Sequence, residues 1–463
     1  MFILQKNRMG AYRLFVISIA IICLFTACNF GKGKVNESSN TLKSSGTVET
    51  NKSELPITRE EKLELLEGLV AGDIFRDYLW KGPFRNESKY QRVTGPTATD
   101  PGAKRFLPNP INNIVIEDLE HAVKAEMIIE TWGGHAGTTG KSVRLNDNEW
   151  LPVPESPVIG TTDPENYYQF RYPRISLPLE QLNEGDNKLE FTTTGQLPEG
   201  EPDWWPQWGV YSVVFRIYYD EEKSHVAGEL SHNSKDNVIT DGHTFAVKID
   251  TDAQEVERVD YVGYYYDYDY NGDGIYEGWQ CTYNYGEIKN HIGFSNSAPF
   301  DVTWDSDWVP DQKDPMTVTA IITNAQGISY VTAPWSGIQL ERDKKTVVMY
   351  NCSDIPEKYG VNAEKSNMVR LDIPDELDKA EEARMTVITW NGAGTAAFEL
   401  NRHPIASTLG KDHDYAIDEL LVPLEYIQKG TNYIITRAVP YNPNPHGVEI
   451  MWPGAALKVR YPK

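Results

Sequence analysis

The stretch Asp269–Gln280, DYNGDGIYEGWQ, sets oxygen-bearing side chains at alternate positions and follows them with a glycine turn. Asp269, Asn271 and Asp273 would offer side-chain oxygens to a hard cation, Ile275 its carbonyl, and Glu277 a carboxylate held directly or through water. That chemistry is Ca²⁺ chelation in a structural role, because the ion would neutralise the acids and fix the loop. Asp267 stands as a reserve ligand. Without an ion, the same residues make a solvated acidic hairpin around an Asp-Gly turn.

A second collection lies near the C-terminus: Trp390, Asn391, His403, His413, Tyr441, His446, Glu449 and Trp452, with Asp412 and Asp414 beside them. Aromatic rings stack on the apolar C–H faces of sugars, while Asn, His and Glu hold hydroxyls by hydrogen bonds, so this inventory suits glycan binding. Its counterpart nearer the N-terminus is Trp132, His135, Trp150, Trp204, Trp205 and Trp208. Trp132 and Trp390 fall in matching strands, where core packing is the first expectation. His403, His413, His446 and Glu449 have the right types for zinc but lack the His-Glu-x-x-His spacing. Asp305, Asp307 and Glu449 are the acids next to aromatics that would serve glycoside hydrolysis. No Gly-x-Ser-x-Gly elbow, phosphate loop or dinucleotide fingerprint occurs.

The elements that must position these residues repeat. Leu177–Asn187, LPLEQLNEGDN, returns as Leu421–Asn432, LVPLEYIQKGTN, and an alternating strand follows each. Thr131-Trp132-Gly133-Gly134 answers to Thr389-Trp390-Asn391-Gly392, and Leu145-Asn146 to Leu400-Asn401. Order and local spacing hold across both copies, so one fold is used twice. Alternating segments broken by Gly, Pro and Asn turns predict antiparallel β-sandwiches. Thr58-Arg59-Glu60-Glu61 ahead of Leu63, Leu66, Leu69 and Val70 predicts a short N-terminal helix.

The expected layout is a signal peptide over 1–27, a polar tether over 28–54, a first sandwich over 55–222, a middle module over 223–342 and a second sandwich over 343–463. Lys6, Arg8 and Arg13 precede the apolar run Leu14–Phe25, too short for a membrane span. A net charge of -23 over 463 residues repels nucleic acid and anionic membrane surfaces. It would also repel an anionic polysaccharide unless a local basic pocket or a bound cation intervened. Cys23 leaves with the signal, Cys28 would be the anchor, and Cys281 and Cys352 would either pair or remain free thiols.

Several stretches resemble known families. Leu24-Phe25-Thr26-Ala27-Cys28 resembles the lipobox of bacterial lipoproteins, with Phe25 where Leu or Val is usual, and implies lipidation of Cys28. The acidic loop resembles an EF-hand or dockerin loop, except that Gln280 replaces a bidentate acid and strands replace the flanking helices. The middle module, with Ala298–Asp305, resembles an immunoglobulin-like or fibronectin-III-like spacer. The duplicated Leu-Pro-Leu…Gly-x-Asn stretches and the Leu-Asn pairs resemble galactose-binding-like jelly rolls of carbohydrate-binding modules. These resemblances imply an all-β chain: two jelly-roll β-sandwiches flanking an immunoglobulin-like β-sandwich. The expected protein is a monomeric cell-envelope lipoprotein, touching membrane only through its lipid, that binds glycan without cutting it within a polysaccharide-utilisation system. The rival is a carbohydrate-active enzyme, lyase or hydrolase, with its site in the last domain or an interdomain cleft. A third reading is an assembly lipoprotein that binds protein.

Overall fold

The structure is a computed structural model, and it describes residues 68–82, 89–135, 137–154, 170–196, 205–250, 255–272, 275–279, 282–355, 360–362, 364–440 and 447–463. The signal, Cys28, the tether, most of the helix expected after Thr58, and Cys281 lie outside the described residues.

Among these residues the chain is almost wholly β. In the first sandwich the front sheet runs Ile74–Trp80, Gln207–Tyr219, Ala122–Trp132 and then Arg174–Leu177, all antiparallel. Its back sheet runs Ile111–Ile116, Gly185–Thr192, Ser142–Leu145 and Leu151–Pro152. The last sandwich repeats that order. Its front sheet is Lys345–Asn351, Val448–Pro462, Glu382–Trp390 and Tyr415–Val422; its back sheet is Ser366–Ile373, Gly430–Ala438, Thr395–Leu400 and His403–Ala406. Even the short edge pieces match: Gln91–Thr94 pairs with Gln207–Tyr219, as Gly360–Val361 pairs with Val448–Pro462.

The Leu-Pro-Leu segments explain themselves locally. Each Pro precedes a single 3-10 turn, Leu179–Gln181 or Leu424–Tyr426, which Pro cannot enter as a donor but starts with its fixed φ. The glycine that follows, Gly185 or Gly430, sits at φ 98 or 90, which a side chain disfavours. Alternation then buries every second residue of each following strand, with Asn187, Leu189 and Phe191 inward in the first copy.

The middle module is built on Met316–Asn324, which pairs with Val256–Tyr266, Ser329–Val331 and Trp335–Leu340. It is more than a spacer. Ser329–Val331 also pairs with Ile74–Trp80, so the first sandwich and the middle module share one thirteen-stranded sheet. A hairpin from the middle module, Thr282–Asn284 with Glu287–Lys289, lays Tyr283 and Ile288 on Ile128 and Val214 of the first sandwich. Nor does the module hold the outer sandwiches apart. Each sandwich has its own apolar core, but a further cluster joins Trp132, Phe170 and Tyr211 of the first to Trp390, Tyr415 and Met451 of the last. Tyr268 and Tyr270 of the middle module complete it. This packing explains why Gln207–Tyr219 is buried along its whole length, when a sheet with one wet face would alternate.

The chain passes from the middle module to the last sandwich through Arg342, whose side chain is 2% exposed. Its guanidinium donates to Asp241 and Asp311, both at 2.7 Å, and to the carbonyls of Ser306 and Val309. A buried arginine with every arm engaged pins the end of the middle module, and the Val347 amide, donating to the Asp311 carboxylate at 3.2 Å, carries the hold into the last sandwich.

Candidate functional site

Two polar sites lie where the modules meet. The first is closed. Glu130, on the strand Ala122–Trp132, is 1% exposed. Its carboxyl lies 2.6 Å from Ser212 Oγ, within reach of the Tyr415 hydroxyl, and 3.3 Å from the Gly286 amide. Burial pushes the carboxyl up to about 7, against the pull of those hydrogen bonds. The geometry agrees: the Tyr415 hydroxyl also lies 2.6 Å from the Tyr283 carbonyl. A phenol has one proton, so it serves both oxygens only when Glu130 carries a proton of its own. Beside it, Tyr285 donates to Asp414 at 2.9 Å, and burial raises the Asp414 carboxyl as well. Every part of this site is packed, so it acts as a polar lock between modules.

The second site is open. A cleft of about 210 Å³ lies between the middle module and the last sandwich. Tyr265, Tyr270, Trp304 and Trp308 supply rings, with Asn290, His291 and Asp305 on the same wall; Arg384, Glu419 and Lys458 come from the last sandwich. The floor is the pair Lys458–Asp267, at 2.5 Å, with both side chains almost fully buried. On the rim, the Arg384 guanidinium lies 4.4 Å from the centre of the Trp308 ring and that of Arg460 lies 4.9 Å from it. Arg460 is held in turn by Glu382 and Asp307. The Trp308 indole nitrogen is a buried donor with no acceptor in reach among the described residues. His291 is oriented by Asp260 at 3.2 Å, and Asp260 by Arg258 at 2.7 Å; these partners hold the Asp260 carboxyl below the usual range despite its burial. Together the cleft has the size of a single sugar ring, faces to stack on, and polar groups of both signs to fix hydroxyls.

The residues singled out in the sequence are dispersed. Trp390 is 7% exposed and lies inside the junction cluster, its ring edge-on to His413 at 5.7 Å. Asn391 is wholly buried at φ 54; its amide donates to the Gly447 carbonyl and its oxygen accepts from the His413 amide at 3.1 Å. It builds the turn. His413 sits 2.8 Å from Asp412. Glu449 is buried, paired in register with Trp390. These four come together at one end of the front sheet. His403 does not join them: it lies on the back sheet, stacked on Tyr426 at 4.4 Å. Trp204, Tyr441 and His446 lie outside the described residues, as does the side chain of Trp452. In the first sandwich, Trp208 is core, Trp205 packs on His135 at 4.9 Å, and Trp150 lies under Arg144. Of the three acids picked out, Asp305 lines the cleft and Asp307 braces its rim through Arg460.

The acidic loop is wedged into the junction. Asp269 is wholly buried, while Asn271, Ile275 and Glu277 are half-buried and Asp273 is outside the described residues. Asp267 pairs with Lys458 through its Oδ1. Arg171 donates to the Gly272 carbonyl at 2.8 Å and the Tyr268 hydroxyl to Gly454 at 2.6 Å. Among the described residues, the histidine and acids close enough to share an ion are His121, Asp220 and Glu222, on a surface turn. Cys352 is a free thiol donating to the Ala455 carbonyl, pushed up to about 12 by burial.

Sequence reasoning passed over Glu130, Arg384, Glu419 and Lys458. The available signal was a charge inside an otherwise apolar strand, as in Ala122–Trp132, AVKAEMIIETW, where Glu126 and Glu130 interrupt a buried run.

No known family matches the sequence, and no curated protein matches it. Among solved structures, the chain is similar to a β-porphyranase of glycoside hydrolase family 86 from the human gut bacterium Bacteroides plebeius. Identity is 9% and the TM-score 0.21, over 53% of this chain and 38% of that one. It is also similar to fibronectin(III)-like modules of Clostridium thermocellum CbhA, at 11% identity and a TM-score of 0.15, over 49% of this chain and 89% of that one. A structure of carbohydrate-binding modules from the β-sandwich superfamily matches at 13% identity and a TM-score of 0.15, over 52% of this chain and 98% of that one. The chain thus spans well under half of the porphyranase. Likenesses this distant carry no argument about function, which rests instead on the sheet order and the chemistry of the cleft.

Proposed function

We propose that this protein is a lipid-anchored cell-envelope protein that binds glycan in the cleft between its middle module and last sandwich, as part of a polysaccharide-utilisation system. The observation that carries the reading is the cleft itself: four aromatic rings and charged groups of both signs in one open recess. The Lys458–Asp267 floor and the Arg384–Trp308 rim hold it in shape, so a sugar would meet a preformed site. The anchor rests on Cys28 and its preceding small residues. Affinity gels or a glycan array with the purified chain test the reading. Retention of a neutral or mixed glycan without new reducing ends or unsaturated products supports it; no retention of any glycan sinks it and favours a protein partner.

One observation favours the enzyme as a second reading. Asp305 and Glu419 reach the cleft from the two modules that form it, and a carboxylate from each wall is what glycoside hydrolysis needs. New reducing ends that vanish in Asp305→Asn and Glu419→Gln would establish it.

Calcium binding by the acidic loop is a further proposal. The wholly buried Asp269 carboxylate suits a cation, with Asn271, Ile275 and Glu277 near it in sequence. A calorimetric titration with calcium giving no heat, and no rise in melting temperature, removes it.

A further inference from the structure

The back sheets of the two sandwiches show their outer faces to solvent, and register lets them be compared position by position. Gly185 lies opposite Ile116, and Gly430 opposite Ile373. Counting back along the edge strands, Ile111 and Met368 occupy the same place. Both are large, apolar and exposed, at 61% and 52%.

The neighbours of that place differ. In the last sandwich exposed Met368 lies beside the largely covered Ile435, and with Ser366, Asn367, Arg402 and Arg437 they line a shallow groove of about 590 Å³. Arg437 is held by Glu399 through two nitrogens, at 2.9 and 3.2 Å, which fixes the plane of its guanidinium. Arg402 sits at φ 68 in the turn between Thr395–Leu400 and His403–Ala406, exposed, with no hydrogen bond or ion pair to any described residue. In the first sandwich, Glu190 stands where Ile435 is and Thr192 where Arg437 is. Glu190 is spent on Arg144 at 3.0 Å. Arg437 is thus balanced by Glu399 as Glu190 is by Arg144, and the copies differ in Arg402, an uncompensated cation where the first sandwich has Asp147 held by Lys188 at 2.8 Å.

A chain of net charge -23 needs a local cationic site to hold a polyanion. A guanidinium matches sulfate and carboxylate oxygens through paired N–H donors, and an exposed Met side chain covers sugar C–H surface beside it. We propose that the outer back-sheet face of the last sandwich binds an anionic sugar chain, with Arg402 pairing its sulfate or carboxylate. The inference rests on the glycan-binding reading and names a second, charge-selective surface distinct from the cleft.

Affinity electrophoresis of the full chain through gels containing dextran sulfate, polygalacturonate or neutral dextran tests it, at low salt and at high salt. Wild type is expected to be retarded by at least one of the two anionic polymers, and which one separates a sulfate preference from a carboxylate preference. Raised salt should relieve the retardation, since the contact is exposed. Arg402→Gln, an exposed change, should lower apparent affinity for that polymer at least tenfold with the melting temperature unchanged. Arg144→Gln, on the equivalent face of the first sandwich, should leave it unaltered. Retardation of Arg402→Gln equal to wild type overturns the inference. So does the absence of retardation by both anionic polymers while another glycan is still bound, which leaves the cleft reading standing. If no glycan of any charge is bound, both readings fail together.

Discussion

Asn187 in the first sandwich and Asn432 in the last are wholly buried and make the same hydrogen bonds. Each amide donates to the carbonyl four residues back, Asn183 or Gln428, and to that of Gly185 or Gly430. Each side-chain oxygen accepts from the backbone four residues back and from a second asparagine, Asn146 or Asn401, at 2.7 Å. That second asparagine then accepts from the next backbone amide, Lys188 or Tyr433, at 2.9 Å. The pair pins the turn after Leu-Pro-Leu to the neighbouring hairpin in both sandwiches.

Asn187→Ala and Asn432→Ala should each destabilise the protein by about 2–4 kcal/mol, because several buried polar groups lose their partners at once. Urea denaturation checks this. Comparable losses at both positions are expected; a loss in one copy and none in the other would mean that the two networks are not equivalent in energy.

The repeat was legible because its residues act locally. Pro, Gly and Asn set backbone geometry over a few residues, so order and spacing carried the sandwich architecture. The junction was not legible. Trp390 and Asn391 have the residue types of a sugar site, yet the ring is buried by a sheet from the other end of the chain and the amide closes a turn. Nothing in the sequence separates an aromatic that meets a ligand from one that meets a distant domain. The cleft depends in the same way on Arg384, Glu419 and Lys458 lying on strand faces that look ordinary until the modules dock.

Gly134 sits at φ 105, and a Cβ there would lie 2.2 Å from the Gln207 carbonyl oxygen. Gly134→Ala should therefore cost about 2 kcal/mol or more, through both strain and a clash with backbone that cannot swing away. A melting temperature within a degree of wild type would contradict the close approach.

Lys458→Met should be strongly destabilising, by about 3–5 kcal/mol, since it leaves the Asp267 carboxylate buried without its cation. Adding Asp267→Asn should recover much of that loss. Thermal melts of the two single variants and the double variant form the cycle that reads it; strictly additive losses would show that the pair is uncoupled.

Glu130 makes stability depend on pH. Its carboxyl titrates at about 7 in the folded protein against 4.5 unfolded, so the folded state holds the proton more tightly. The stabilisation is fully present below about pH 4.5 and is lost as pH rises through 7, for a total of about 3 kcal/mol at most. Glu130→Gln should flatten the melting temperature across that window relative to wild type. Parallel curves for the two proteins would place the titrating group elsewhere.

The most direct test of the central claim is binding at the cleft. A glycan retained by the wild-type chain is titrated into wild type and into the double variant Asp305→Ala/Glu419→Ala, whose changes fall on exposed cleft residues and should leave the melting temperature in place. Binding in the cleft predicts affinity lower by about tenfold or more, the equivalent of one or two hydrogen bonds. Unchanged affinity in a folded double variant would show that the sugar binds elsewhere and that the cleft is not the site.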